Sequence, residues 1–103
     1  MHAAIADKKA KLAELCRHYD VIRLEVFGSA ARGTDFDPAT SDADFLVEFD
    51  PSSDLPPLEQ FFGLVDALSD ALGRPVDLVE NHEFRNPYLR AFINAYRELV
   101  YAS

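Results

Sequence analysis

Residues 21–50 are VIRLEVFGSAARGTDFDPATSDADFLVEFD, two stretches of alternating apolar and polar residues joined by a polar loop. In the first stretch Ile22, Leu24 and Val26 fall on one side, as expected for a strand with one buried face. The second stretch, residues 42–50, alternates in the same way. Its apolar side consists of Ala43, Phe45, Val47 and Phe49. This part of the chain therefore predicts two strands around which the fold is built.

The first predicted strand ends at the dipeptide Gly28-Ser29. Glycine allows a sharp turn or a close approach of the backbone to a ligand, and serine is a favourable N-cap. A short helical segment from Ala30 to Arg32 is expected to start there and to end at Gly33. Free backbone N–H groups at a helix start suit phosphate oxygens, but many Gly-Ser pairs form turns and nothing more. The dipeptide is therefore a candidate phosphate site that needs support from other residues.

Two aspartates stand at the start of the second predicted strand. Asp42 and Asp44 are two residues apart, so both lie on the face opposite the apolar side chains. Carboxylates held close together are unfavourable unless a positive charge lies between them, and Mg²⁺ takes such oxygen ligands. Residues 74–80 predict a third strand, with Asp77 opposite its apolar side. Three aspartates then converge on one open sheet face, unless they are simply solvated residues of exposed strands.

These motifs resemble the nucleotidyltransferase superfamily that shares the DNA polymerase β palm. The resemblance rests on three segments: Gly28-Ser29-x-Ala31-Arg32-Gly33, Ser41-Asp42-x-Asp44-Phe45-Leu46-Val47 and Val76-Asp77-Leu78-Val79. More narrowly, the small size and the segment Asn86-Pro87-Tyr88-Leu89-Arg90 resemble the minimal nucleotidyltransferase (MNT) antitoxins, which are encoded beside HEPN-domain toxins. The loop between Ser29 and Asp42 is longer than the spacing often found in that family. The resemblance implies an α+β fold, a small mixed β-sheet with helices packed on one face and the acidic active site on the other.

The resemblance also implies a reaction and a role for each motif. The catalytic residues, which would also hold two Mg²⁺ ions, are Asp42, Asp44 and Asp77. Gly28 and Ser29 would hold the β- and γ-phosphates of ATP, and Arg32 either contacts phosphate or pairs with a neighbouring acid. Asp77 is also where such enzymes place the base for the acceptor hydroxyl. The implied activity is Mg-dependent transfer of AMP from ATP to a tyrosine of a cognate HEPN ribonuclease toxin, which neutralises the toxin.

Two other functions stay open. The chain could neutralise its toxin by stable complex formation without catalysis, but three clustered acids argue against this because a binding module has no need of them. It could also act on a small hydroxyl compound, as antibiotic nucleotidyltransferases do. That function predicts turnover without a protein partner, from a homodimer that completes the site. Mass analysis of the acceptor separates the two transferase hypotheses.

The composition predicts a single cytoplasmic domain, residues 1–103. The 103 residues are 49% hydrophobic, enough for a modest core, and they contain neither an apolar run of membrane-spanning length nor a signal-peptide pattern. A net charge of −8 argues against direct nucleic-acid binding and suits a basic protein partner. The resting assembly is left open between a homodimer and a hetero-oligomer with the toxin. The single cysteine, Cys16, is expected in the core.

Three amphipathic helices are predicted around the strands, because apolar residues recur at helical spacing over 3–19, 58–72 and 86–101. The first two are expected to pack on the apolar face of the sheet. His18 and His82 are interpreted as a helix-end residue and a solvated loop residue rather than as a base or a ligand. Three strands and three or four helices use nearly the whole chain. The acceptor must therefore supply much of its own binding surface, which a folded protein does better than a small molecule.

Overall fold

The computed structural model describes residues 3–27, 43–80 and 97–103. In these ranges the fold is built on a mixed β-sheet of four strands. The strands are β1 (Val21–Phe27), β2 (Ala43–Phe49), β3 (Val76–Glu80) and β4 (Glu98–Ala102). Their order is β3-β2-β1-β4. β2 and β3 are parallel, whereas β1 is antiparallel to both β2 and β4. The strands expected around residues 21–27, 42–50 and 74–80 are all present.

Helices cover one face of this sheet. Helix α1 is Ala3–Ala6, α2 is Lys9–His18 and α3 is Pro57–Leu72. The single helix predicted over 3–19 is therefore interrupted by a turn at residues 7–8. Helix α3 agrees with its prediction and ends at Gly73, whose φ of 67° is a left-handed conformation that glycine adopts without steric cost. In the described ranges no helix has the length and apolar character needed to cross a membrane.

The core lies between these helices and the facing side of the sheet. Every described element contributes buried apolar side chains to one cluster, including Ile5, Leu12, Cys16, Val21, Leu24, Val26, Ala43, Phe45, Val47, Leu64, Leu68, Val76, Leu78 and Val100. The prediction for Cys16 is confirmed, since the residue is 0% exposed. Burial raises the pKa of its thiol from 9.0 to about 12, because the thiolate would lose its hydration.

Helix α3 meets the end of α2 closely at Gly63. A Cβ atom on this glycine would lie 2.6 Å from Cε1 of Tyr19, so a side chain there has no room unless the ring moves. The buried side chain of Gln60 donates from Nε2 to the Tyr19 carbonyl at 2.9 Å. That carbonyl lies just after the last turn of α2, where backbone acceptors need an outside partner. The two contacts fix the two helices against each other.

The connection from α2 to β1 turns at Asp20, whose φ is 56°. Left-handed backbone is uncommon for a residue other than glycine, although aspartate tolerates it better than most. The Asp20 carboxylate accepts a hydrogen bond from Ser53 Oγ at 2.6 Å, and its carbonyl accepts one from the Asp50 N–H at 2.9 Å. These bonds join the start of β1 to the loop that follows β2.

The predicted apolar side of β1 is wrong at its first residues. Val21 pairs with Phe49 but Arg23 pairs with Glu48, so the register shifts between them. An extra residue of this kind changes which side chains point to each face. As a result Val21 is buried in the core and Ile22 is half-buried, whereas Leu24 and Val26 are buried as predicted.

The predicted third helix is also wrong at its end, because residues 98–102 form strand β4. This strand pairs with β1, with Leu99 opposite Glu25, and buries Val100 in the core. A short apolar run such as Leu99-Val100-Tyr101 fits a helix or a strand, and pairing with β1 decides between them. The rest of the predicted helix, residues 86–96, lies outside the described residues, and so does His82.

Candidate active site

Asp44 and Asp77 lie side by side on the sheet face opposite the helices. They are direct partners in the parallel register of β2 and β3, and neighbouring strands are about 4.8 Å apart. The next residues along the two strands, Phe45 and Leu78, are buried in the core, so the alternation of side chains turns both acids outward. Asp77 is exposed and Asp44 is half-buried. The structure therefore brings these two acids together as expected, and their catalytic role remains a prediction.

The described strand ends next to the other predicted residues lie at the same end of the sheet. β1 ends at Phe27, whose partner in β2 is Asp44. β2 begins at Ala43, whose partner Val76 begins β3. Four predicted residues lie outside the described ranges: Gly28, Ser29, Arg32 and Asp42. In the sequence, Gly28 follows the end of β1 and Asp42 precedes the start of β2, and both of these strand ends lie beside Asp44.

A small apolar cluster lies next to the two acids. Leu46 is 3% exposed and packs with Phe27 and Val79. Leu46 and Val79 are partners in the register of β2 and β3, two residues beyond the pair of acids. Apolar side chains near a carboxylate lower the local dielectric and so strengthen its electrostatic interactions.

Glu25 is a buried acid on the same face that the sequence analysis did not single out. The residue is 5% exposed and lies opposite Leu46. Its Oε1 accepts a hydrogen bond from Arg23 Nε at 2.8 Å, and its Oε2 forms an ion pair with Arg97 Nε at 3.1 Å. The two guanidinium groups compensate for the burial of the carboxylate. The available signal was the pair of opposite charges at Arg23 and Glu25 on one strand face, but Arg97 had been predicted to be helical.

The pair Asp44 and Asp77 fits a hard divalent cation, since two carboxylates on adjacent strands offer the oxygen ligands that Mg²⁺ prefers. Among residues 3–27, 43–80 and 97–103, no group of three His, Cys, Asp or Glu side chains could hold a metal ion. The third predicted ligand, Asp42, directly precedes β2 and lies outside these ranges. The described part of the chain thus provides two of the three predicted ligands.

Residues 9–100 match the family model described as Nucleotidyltransferase domain. The chain belongs to the nucleotidyltransferase domain family. Within this family it is similar to the proposed protein adenylyltransferase MJ0128 of Methanocaldococcus jannaschii, with 41% identity over 83 residues. That match covers 81% of this chain and 78% of the relative. Nucleotidyltransferase activity, expected from the three motifs, is therefore the activity of the family.

Solved structures share the nucleotidyltransferase fold. A proposed minimal nucleotidyltransferase has a TM-score of 0.74 and 29% identity, and the match covers 95% of each chain. A chain from the complex of a tri-AMPylated Shewanella oneidensis HEPN toxin with an MNT antitoxin has a TM-score of 0.63 and 19% identity. That second match covers 96% of this chain and 73% of the other, and at such identity it shows the fold alone. The expected α+β fold is confirmed.

Proposed function

We propose that this nucleotidyltransferase is an antitoxin that transfers AMP from ATP to a tyrosine hydroxyl of a cytoplasmic HEPN-domain toxin. The observation that carries the proposal is the pairing of Asp44 with Asp77 at the end of the sheet where β1 leads into Gly28. Similarity to a proposed protein adenylyltransferase supports a protein acceptor. The shared fold with a chain from a complex containing an AMPylated HEPN toxin suggests which protein class that acceptor is.

The proposed reaction joins the acceptor oxygen to the α-phosphorus of ATP and breaks the bond from that phosphorus to the bridging oxygen, which releases pyrophosphate. Catalysis of this kind depends mainly on positioning and on charge stabilisation. Asp44 and Asp77, together with Asp42, would hold two Mg²⁺ ions. When bound, the ions neutralise phosphate charge and orient the attacking and leaving oxygens.

The remaining roles belong to the residues around this pair. Asp77 is exposed, so an acceptor hydroxyl can reach it, and we assign it the proton of that hydroxyl. Gly28 and Ser29 would offer N–H groups to the β- and γ-phosphates. Arg32 would contact phosphate or pair with a neighbouring acid. Because the chain is small and the acids lie on an open sheet face, the hydroxyl of a folded acceptor protein would reach the site from outside.

Intact-mass spectrometry tests this proposal, with the chain co-expressed with the HEPN protein encoded beside it. Added ATP and Mg²⁺ should give the partner mass increments of whole adenylate units. Asp44→Asn and Asp77→Asn should abolish the increments, because each removes a charged ligand while preserving size. The matched control is Glu48→Gln, an exposed acid of β2 on the same face as Asp44 but further from Asp77. It should leave the increments unchanged.

Three outcomes would contradict the proposal. Increments that persist in both asparagine variants would show that the paired acids are not catalytic. A stable complex without any increment would favour neutralisation by binding alone. Nucleotide transfer to a small hydroxyl compound, with none to the HEPN protein, would place the chain with the antibiotic-type nucleotidyltransferases.

A further inference from the structure

Helix α3 exposes two large apolar side chains close together. Leu58 is 72% exposed and Phe62 is 58% exposed. They are four residues apart, so they are neighbours on one helix face, with Cβ atoms about 6 Å from each other. Adjacent apolar side chains on a surface indicate an interaction site more strongly than isolated ones. We refer to Leu58 and Phe62, with the flanking acids Glu59 and Asp66, as the α3 surface.

Phe62 packs against a neighbouring aromatic ring at this surface. Its ring meets the ring of Phe61 edge to face, with centroids 5.2 Å apart and an interplanar angle of 85°. Phe61 is half-buried and packs against the main core. An aromatic side chain that is already ordered loses little conformational entropy when a partner binds it. The α3 surface is therefore preorganised for contact.

The segment that carries this surface has charge of one sign. Residues 50–73 contain no lysine or arginine, and their five acids are Asp50, Asp54, Glu59, Asp66 and Asp70. Glu59 and Asp66 are exposed and lie within four residues of Phe62. Such a field attracts a basic partner and repels nucleic-acid phosphates. A second copy of the chain would bring the same acids against each other, which is unfavourable in a symmetric contact.

The α3 surface is remote from the paired acids. Helix α3 packs on the core face of the sheet, whereas Asp44 and Asp77 lie on the opposite face. Leu58 and Phe62 stand in the first two turns of a 16-residue helix, and β3 with Asp77 follows its other end. About 15 Å of helix axis separates Phe62 from that end. A protein bound to the α3 surface would therefore leave the acids open.

We propose that the α3 surface binds a basic protein partner through an apolar pocket with a rim of lysine and arginine. It holds this partner while the acids stay accessible, so that binding and nucleotide transfer are separable. In taking the partner to be the HEPN-domain protein, this inference rests on the proposed function.

The test measures binding of the purified HEPN protein to the immobilised chain at several salt concentrations, without ATP or Mg²⁺. Leu58→Ser/Phe62→Ser should weaken binding at least about tenfold, as expected for anchors at the centre of an interface. Glu59→Gln/Asp66→Asn should slow association and flatten its salt dependence. The matched control is Leu99→Ser, an apolar residue of β4 that is 44% exposed and outside the α3 surface. It should bind like the wild type, and all variants should unfold at wild-type temperatures.

Each result bears on one proposal or the other. Unchanged affinity in Leu58→Ser/Phe62→Ser, or absence of binding by the wild-type chain, would overturn the proposal that the α3 surface binds the partner. The proposal would also be overturned if the wild-type chain self-associates and Leu58→Ser/Phe62→Ser abolishes this without changing the affinity for the partner. The α3 surface would then join two copies of the chain. Binding that depends on Leu58 and Phe62 in a wild type that transfers no AMP would support the α3 surface and overturn the proposed function.

Discussion

Replacing Glu25 with alanine would remove the carboxylate that two arginines share on the open face of the sheet. The Glu25 side chain is 7% exposed, accepts a hydrogen bond from Arg23 at 2.8 Å and forms an ion pair with Arg97 at 3.1 Å. Arg23 is in the central strand β1, and Arg97 directly precedes the edge strand β4. The substitution therefore breaks a side-chain link between these strands and leaves both guanidinium groups without this acceptor.

The expected loss of stability in Glu25→Ala depends on how exposed the Arg23 and Arg97 side chains are. Breaking a fully buried ion pair costs about 3–5 kcal/mol, and a hydrogen bond to a charged group contributes about 1.5–3 kcal/mol. Water can replace the lost acceptor here, because the arginine side chains are 46% and 37% exposed. We therefore expect the free energy of unfolding to fall by about 2–3 kcal/mol, which lowers Tm by about 10–20 °C in a domain of this size.

Urea denaturation followed by circular dichroism measures this loss in Glu25→Ala, Arg97→Ala and the double variant. The two single losses should not add, with a coupling free energy of at least about 1 kcal/mol. Glu48→Ala, an exposed acid on the same face, should stay within about 0.5 kcal/mol of the wild type. Additive losses would show that Glu25 and Arg97 do not stabilise each other. A Glu25→Ala variant as stable as the wild type would show that the desolvation of the carboxylate cancels its pairing.

Three further predictions concern packing, backbone conformation and titration. Gly63→Ala should destabilise the protein by about 1–2 kcal/mol in urea denaturation, although alanine favours helices, because its Cβ would lie 2.6 Å from Tyr19 Cε1. In a Tyr19→Ala background the same change should instead stabilise. Asp20→Ala should lower the unfolding free energy by about 1–2 kcal/mol through loss of the Ser53 bond and strain at φ 56°, whereas Asp20→Asn should cost less. A lower stability of Asp20→Asn than of Asp20→Ala would contradict this account. Burial raises the pKa of the Cys16 thiol from 9.0 to about 12. The contribution of the buried, protonated thiol to the free energy of unfolding is therefore complete below pH 9 and is lost as pH rises towards 12. Native protein at pH 8 should therefore react with a thiol reagent only through unfolding, and rapid labelling without urea would refute this.

The sequence was sufficient to predict the two acids that the structure describes. Alternation along β2 is regular, so the burial of Phe45 and Val47 follows from the pattern and the outward direction of Asp44 follows with it. The same argument places Asp77 beside it once β3 joins the same core. Helix α3 was also predictable, because its apolar stripe and the terminal Gly73 are local signals.

The errors arose where distant residues decide the structure. The apolar run of β4 becomes a strand because it completes the hydrogen bonds of β1, which lies far away in the sequence. The bulge at the start of β1 depends on pairing with β2. No local pattern singled out Glu25, and its burial is compensated in part by Arg97, which directly precedes β4. Local periodicity carries no information about any of these partners.

The position of β4 in the sheet has a consequence for biosynthesis. β1 lies between β2 and β4, so one of its edges stays open until β4, the last of the described strands, has been translated. Contacts between such distant segments raise the contact order and slow folding. A nascent chain that lacks β4 presents an apolar strand with unpaired backbone groups, which invites aggregation. Premature termination just before β4 would therefore yield an insoluble or rapidly degraded product rather than a shortened active protein.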